Sequence, residues 1–480
     1  MILSGDNTYA GSTTLSGTAG VTLTGSGDIS SSPSFTLSGN STSLTVDTDA
    51  TVKKITGSGD IIINSGNTLT MNNRSGVNTF SGDISGGGGL TVRGSGFWII
   101  SGTLSYTGDT VVNQNFLQFI NEETDLADSS SLTLENGAIL KLANGPSAQT
   151  INNVSSDFNS YIQIEESTNI TINQTTDGTF AGYITNQGSG QTNNITKTGA
   201  AKLTLTGNNT DLSGYFTITE GTLSVGNNNA LGKTSKRLQL NGGTLEASGG
   251  FTSSRTIRML SDSTISVDST KTLTLTGDFT ETASSGLTKS GAGTLAIQGN
   301  AGYTGATTLS AGEILLSGSS ASMSSNSGIA ISSGATLTCD TDSGSQSIQT
   351  LSGAGNLVLN GTGLTITQGS NETFSGVISG SGTLTTAGSS TLTLSGANTY
   401  TGATTVSAGG LTLSGSSADI SSSSGVTVSS GATLTFDATS GTQTLNNFSG
   451  AGNLVLNGTG LTITQGSNET FSGVISGSGT

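Results

Sequence analysis

Residues 352–383, SGAGNLVLNGTGLTITQGSNETFSGVISGSGT, recur letter for letter at 449–480, an offset of 97 residues. At that offset Tyr303 falls on Tyr400, Leu309 on Val406, Ser333 on Ser430 and Leu337 on Leu434, so the chain from about Leu287 onward is a near-duplicate pair of blocks. A fold that tolerates a whole extra block is one that grows along a line, each unit touching only its neighbours. Within the blocks, TLTLSG, LTLSGS, VTVSSG, NLVLNG and LTITQG are period-two runs ended by Gly, Asn or Ser, the pattern of half-buried strands with turns. Strands centred on Leu392, Leu411, Leu434 and Leu454 are 19 to 23 residues apart, which suits one coil of a parallel β-solenoid. A sandwich or up-and-down barrel needs antiparallel hairpins, and their Asn-Gly and Asp-Gly turns are few here. The expectation is an all-β solenoid of roughly 20 coils, on the order of 100 Å tall at ~4.8 Å per strand step. Five segments are expected: 1–96 and 177–286 as regular repeats, 97–176 with an irregular or inserted stretch, and the blocks 287–383 and 384–480.

Composition agrees. Gly supplies 73 of the 480 residues and only 9% are charged, yet apolar residues recur in alternation, which a disordered low-complexity chain would lack. The net charge is −16, and no Lys or Arg follows Lys289. Nucleic-acid binding, which needs a basic face to displace counterions, is therefore not expected. The single Cys339 makes no internal disulfide. The stretch from Met1 opens on ILSGDNTYAG and holds no apolar run long enough to span a membrane, so neither a signal peptide nor a span is expected in it. Thr480 corresponds to Thr383, where strand continues, and the chain reads as a piece of a longer array.

With few aromatics to place, the chain sets them in a recurring Asn-x-aromatic-x-Gly pattern, in places with one extra residue. The aromatics are Tyr9, Phe80, Phe180, Tyr303, Phe374, Tyr400 and Phe471, and the glycines Gly11, Gly82, Gly182, Gly305, Gly376, Gly402 and Gly473. Each lies between two strands, where a coil turns a corner. The glycine is expected to take left-handed backbone values there, and the ring to plug the wide corner of the interior. Sugar-stacking platforms on the surface are the alternative. The Gly-x-Gly runs at Gly25, Gly57, Gly353 and Gly450 read as turns, because a phosphate cradle needs a helix N-terminus or a lysine behind it.

Catalysis is not expected. The chain has no His, which removes Ser-His-Asp triads and imidazole zinc sites. Paired carboxylates remain, at Glu122/Glu123/Asp125/Asp128, Glu165/Glu166 and Asp340/Asp342, but in the duplicate block Asp342 becomes Thr439. Acidic turns in solvent are the plain reading of these clusters, with weak Ca²⁺ sites and a polysaccharide-directed enzyme as alternatives. No cofactor or metal is expected. Thr-x-Thr triplets such as Thr22/Thr24, Thr204/Thr206, Thr274/Thr276 and Thr462/Thr464 raise an ice-binding face as a further alternative, weakened because Ser stands at equivalent positions such as Ser395 and Ser414.

The segment GTLSVGNNNALGKTSKRLQLNGGTLEAS from Gly221, preceded by LTLTGNNTDLSGYFTITE, resembles the autotransporter-associated β-strand repeat of bacterial type V secreted proteins, as does TLTLSGANTYTGATTVSAGGLTL from Thr391. The resemblance is clearest over 3–27, 203–250 and 292–480. It implies a right-handed parallel β-helix exported to the cell surface or beyond. The expected role is a structural rod or stalk supporting adhesion or cell-cell and matrix contact, with a host or neighbouring-cell surface or a glycan as partner. Phe97 to Glu166, with Trp98 and clustered charge, is the stretch favoured for contact. The ends, which cross repeat units, suggest end-to-end self-association.

Overall fold

The computed structural model describes residues 1–120, 125–142, 148–165, 168–187, 192–323 and 327–480. It divides into two compact units, Met1–Leu238 and Gln239–Thr480, a boundary inside the segment 177–286 that the sequence treats as continuous. Each is a stack of parallel strands in β-solenoid coils, about 22 turns in all. Among the described residues the only helical elements are the 3₁₀ turns Asn228–Leu231 and Thr341–Ser343.

In the first unit a six-stranded face runs from Ile2–Leu3 to Leu104–Tyr106 and a nine-stranded face from Thr13–Ser16 to Tyr183–Gln187, every step parallel. In the second, a seven-stranded face runs from Phe251–Ser253 to Val377–Gly380 and a six-stranded one from Gln346–Ile348 to Phe448–Gly450. Register pairs each residue with its equivalent one coil on. Leu392 faces Leu411, then Leu434, then Leu454, all with no exposed surface, while the intervening Thr393, Thr412 and Thr435 point outward. A fully buried Leu is worth about 1.5–3 kcal/mol of transfer free energy, and the core is one such column beside another.

Buried cations, Lys197, Arg255 and Lys289, interrupt this apolar interior. Lys197 and Lys289 have no exposed surface. The Lys197 ammonium donates to the carbonyls of Thr198, Gly199 and Glu220 at 2.8, 2.7 and 3.1 Å, and Lys289 donates to Ser290, Gly291 and Ala311 at 2.7, 2.8 and 3.2 Å. Each ammonium thus ties one coil to the turn of the next. Burial pushes both down to about 8, with Glu220 and Glu313 opposing the shift. Thr386 is the equivalent of Lys289 in the last block, and its buried hydroxyl has no partner.

The turn glycines differ in backbone conformation, although a Cβ on Gly57, Gly353 or Gly450 would also overlap a carbonyl oxygen of the neighbouring coil. Gly25, Gly57, Gly353 and Gly450 have φ of +61°, +110°, +106° and +123°, the left-handed region. Gly82, Gly182, Gly305, Gly376, Gly402 and Gly473 do not, which corrects the reason given for them above. A Cβ on Gly82 would overlap the Gly59 carbonyl oxygen, one on Gly376 that of Gly355, and one on Gly402 that of Gly382. Glycine is needed there because the backbone of one coil lies against the Cα of the next. Gly11, in the first turn, meets nothing within 4 Å.

Substitution at Gly376 and Gly334 separates the two effects, close backbone approach and left-handed φ. Gly376→Ala is expected to destabilise the second unit by about 3 kcal/mol or more, since only backbone can give way. Gly334→Ala, at φ +82° in open space, should cost about 1–2 kcal/mol. Denaturant melts of both variants test this; an equal or reversed order would show that backbone conformation, not coil-to-coil approach, selects these glycines.

Candidate functional site

The corner aromatics occupy two distinct places. Phe80, Phe180 and Phe374 end their strands and are buried at 0%, 1% and 0% exposure; Phe80 pairs with Gly57 and Ile100, Phe374 with Gly353 and Leu394. Tyr303 and Tyr400 lie in the turns before the strands Thr307–Leu309 and Thr404–Val406, equally buried. Phe471 is half-buried against Phe448, ring centroids 4.4 Å apart. Tyr9, in the turn before the strand Thr13–Ser16, is 39% exposed, and its hydroxyl shares a hydrogen bond of 2.5 Å with Thr13 Oγ1.

The buried tyrosines keep their hydroxyls satisfied. Tyr400 Oη shares a hydrogen bond of 2.7 Å with Thr404 Oγ1, which donates to Ser423 Oγ at 2.9 Å. Ser423 in turn reaches the Gly402 carbonyl at 2.9 Å. The same series links Tyr106, Thr110, Ser129 and the Gly108 carbonyl. Sequence reading missed Tyr106 because Leu104 stands where Asn was sought. The signal is Tyr-x-Gly-x-Thr, shared by Tyr9, Tyr106, Tyr303 and Tyr400.

The acidic clusters split likewise. Asp340 accepts from the Thr341 amide at 2.9 Å, Asp125 from that of Ala127 at 3.0 Å, and Glu165 pairs with Lys141 at 2.8 Å. Glu122, Glu123 and Glu166 lie outside the described residues. Among the described residues no group of three or more His, Cys, Asp or Glu is placed to hold a metal ion. The outward column Thr51, Thr70, Thr91 is broken by Val111 before Thr133 and Ser155 continue it.

Trp98, favoured above for contact, is wholly buried, because alternation along Phe97–Ile100 turns Trp98 and Ile100 inward. Its neighbour Phe97 points out, and with it a ladder. Register stacks Val77, Phe97, Phe116, Ile139, Tyr161 and Tyr183 on successive coils of the nine-stranded face. Val77 and Phe97 are 59% and 46% exposed and the other four partly so. Phe97 and Phe116 lie 4.9 Å apart, tilted; Tyr161 and Tyr183 stack at 4.6 Å, 12° from parallel. Beside them run Thr79, Ile99, Gln118, Lys141, Gln163 and Thr185, and Lys141 Nζ sits 6.0 Å from the Phe116 centroid. Six apolar or aromatic side chains thus share one outward column, on a chain whose other outward positions are mostly Ser, Thr and Asn. The signal available beforehand was an apolar residue opening each of VNTF, FWII, FLQF, ILKL, YIQIE and YITNQ, one place before the inward residue.

A stack of parallel coils, tied turn to turn and bearing an apolar outward column, defines a solenoid repeat region. Residues 1–17, 90–114, 195–225, 287–316 and 384–413 match the passenger-associated-transport-repeat family, and the chain is passenger-region sequence of a type V secreted protein. Each match spans one of the turns at Tyr9, Tyr106, Leu212, Tyr303 and Tyr400. The chain is also 32% identical over 417 residues to the adhesin BmaC autotransporter of Brucella suis biovar 1 (strain 1330), covering 79% of this chain and 11% of that protein. No solved structure matches. No helix among the described residues is long and apolar enough to cross a membrane.

Two outcomes test the turn. Tyr400→Ala is expected to destabilise the second unit by about 3–5 kcal/mol by opening a void, seen as lost hydrogen-exchange protection in its own and adjacent coils; protection unchanged would overturn a packing role. The second concerns pH. Burial pushes the Tyr400 phenol up to about 12, eased by its bond to Thr404 and reinforced by Asp419. An unfolded tyrosine titrates near 10, so between pH about 10 and 12 the unfolded chain binds fewer protons and stability falls as pH rises. Tyr400→Phe should flatten that alkaline loss in urea melts taken across the window; an unchanged slope would show that Tyr400 does not contribute to it.

Proposed function

We propose that the chain is a structural stalk of an autotransporter passenger, secreted or displayed on the cell surface, that supports adhesion or contact with another cell or matrix. The observation that carries this reading is the outward column Val77, Phe97, Phe116, Ile139, Tyr161, Tyr183. Burying most of such a column against a partner would release several kcal/mol at about 25 cal/mol per Å², enough to drive weak, multiply repeated contacts. The adhesin named among its relatives supports the same role. The rest of the surface, a solvated lattice of Ser, Thr and Asn, serves as spacer. A host surface, a neighbouring cell or a surface glycan are the partners in view, and neither the broken threonine column nor the capped carboxylates of the described turns favours ice binding or polysaccharide cleavage.

Beads carrying residues 1–480 should bind epithelial cells or extracellular matrix, and the triple variant Phe97→Ser, Tyr161→Ser, Tyr183→Ser should reduce binding about tenfold or more with circular dichroism unchanged. Binding retained by a folded triple variant would refute the ladder as the contact face.

A further inference from the structure

Tyr183 is the last ring of the ladder, in the last strand of its face. Beyond it the turn at Asp211 brings an exposed carboxylate beside the stacked pair, and Tyr161, Gln163, Tyr183, Thr185, Asn186 and Asp211 line an open recess of about 300 Å³. That volume is at the floor for small-molecule sites, about 300–1,000 Å³, and suits a single side chain better than an oligosaccharide. The rings' own arrangement argues the same way. Tyr161 and Tyr183 are 12° from parallel at 4.6 Å, so each covers one face of the other and no broad platform is offered to a sugar.

Charge decides the occupant. Elsewhere on this unit rings carry cations: Lys141 over Phe116, and Arg237 over Tyr215 with its guanidinium carbon 4.3 Å from the centroid. The Tyr161–Tyr183 pair has a carboxylate at its rim, and among the described residues no cation lies over either ring and no salt bridge is made by Asp211. Burial, then Tyr161 and Asp211, push the Tyr183 phenol upward, so the carboxylate is near enough to act on the ring. Asn186 is already engaged, its carbonyl accepting from the Ser213 amide at 2.8 Å and its amide bonded to Asn193, which fixes one wall. A guanidinium meets this setting best: it stacks on an aromatic face and donates in a fork to a carboxylate, where a quaternary ammonium has no donor to offer.

We infer that this recess takes an arginine side chain of a partner polypeptide, with Asp211 as its counter-ion and the Tyr161–Tyr183 pair as its cation–π wall. The inference rests on the contact reading above and names the chemistry of the partner at one end of the ladder.

The test uses the whole chain with tyrosine rings carbon-13 labelled; there are seven, and Tyr161 and Tyr183 are assigned by their Phe variants. Titrating acetylated, amidated Gly-Arg-Gly should shift both resonances saturably. Asp211→Asn and Tyr183→Ala should each weaken the binding about tenfold, Tyr183→Phe less than about threefold, and the Gly-Lys-Gly analogue should bind several-fold more weakly than the arginine peptide. Unchanged affinity in Asp211→Asn and Tyr183→Ala would reduce the effect to the chain's overall negative charge and overturn the inference. Equal binding of tetramethylammonium would overturn the choice of arginine. Bead adhesion of Asp211→Asn separates the two readings. Adhesion lost in the serine triple variant but intact in Asp211→Asn leaves the contact face standing and removes the arginine recess. Saturable peptide binding by a chain that adheres to nothing keeps the recess and removes the adhesive role.

Discussion

The approach of one coil's carbonyl to the next coil's Cα governs this structure. Strands stacked about 4.8 Å apart leave room for side chains within the strands, where they point in or out, but not at the turns where the backbone runs edge-on to its neighbour. At Gly82, Gly182, Gly376 and Gly402 any Cβ would overlap the carbonyl below. With no side chain there, the turn has nothing of its own to pack, and neighbouring residues supply the filling: the Phe that ends the preceding strand, or a Tyr two residues before the glycine. The Tyr then needs a partner for its hydroxyl, the Thr four residues from Tyr400 supplies one, and a Ser of the following coil returns the proton chain to the glycine's own carbonyl. One steric constraint thus accounts for a pattern spread over about twenty residues, and the family matches 90–114, 287–316 and 384–413 each have such a turn, at Tyr106, Tyr303 and Tyr400, within them.

Buried lysines answer a related demand. Where a turn directs carbonyls inward, something must donate to them, since an unpaired buried carbonyl costs about 1–3 kcal/mol. Lys197 and Lys289 each reach three. An ammonium so held is positioned by the coil above and the coil below together, and it draws no charged partner to the surface.

Because the interior and the turns use up most of the chain's specificity, its outward faces are left uniform, and function has to come from departures. The column from Val77 to Tyr183 is such a departure, carried by strands that pair in unbroken register with their neighbours. A solenoid turns a chance apolar residue at one position of a repeat into an extended stripe simply by repeating it.

The sequence by itself determined the solenoid, its parallel strands and the division of each strand into inward and outward residues, because a period of two and a repeat near twenty leave few other ways to bury the apolar half. It also located Gly376, Gly402, Tyr303 and Tyr400 as turn residues. It could not give the reason for the glycines, since left-handed φ and close backbone approach both select the same residue and differ only in what lies across the coil step. Nor could it choose between Phe97 and Trp98 for the surface, because in FWII every residue is apolar and alternation has no visible phase; register with Phe116 and Val77 sets it. The ladder and the recess at Asp211 join residues from Val77 to Asp211, and only the stacking of coils brings side chains so far apart in sequence within reach of one another.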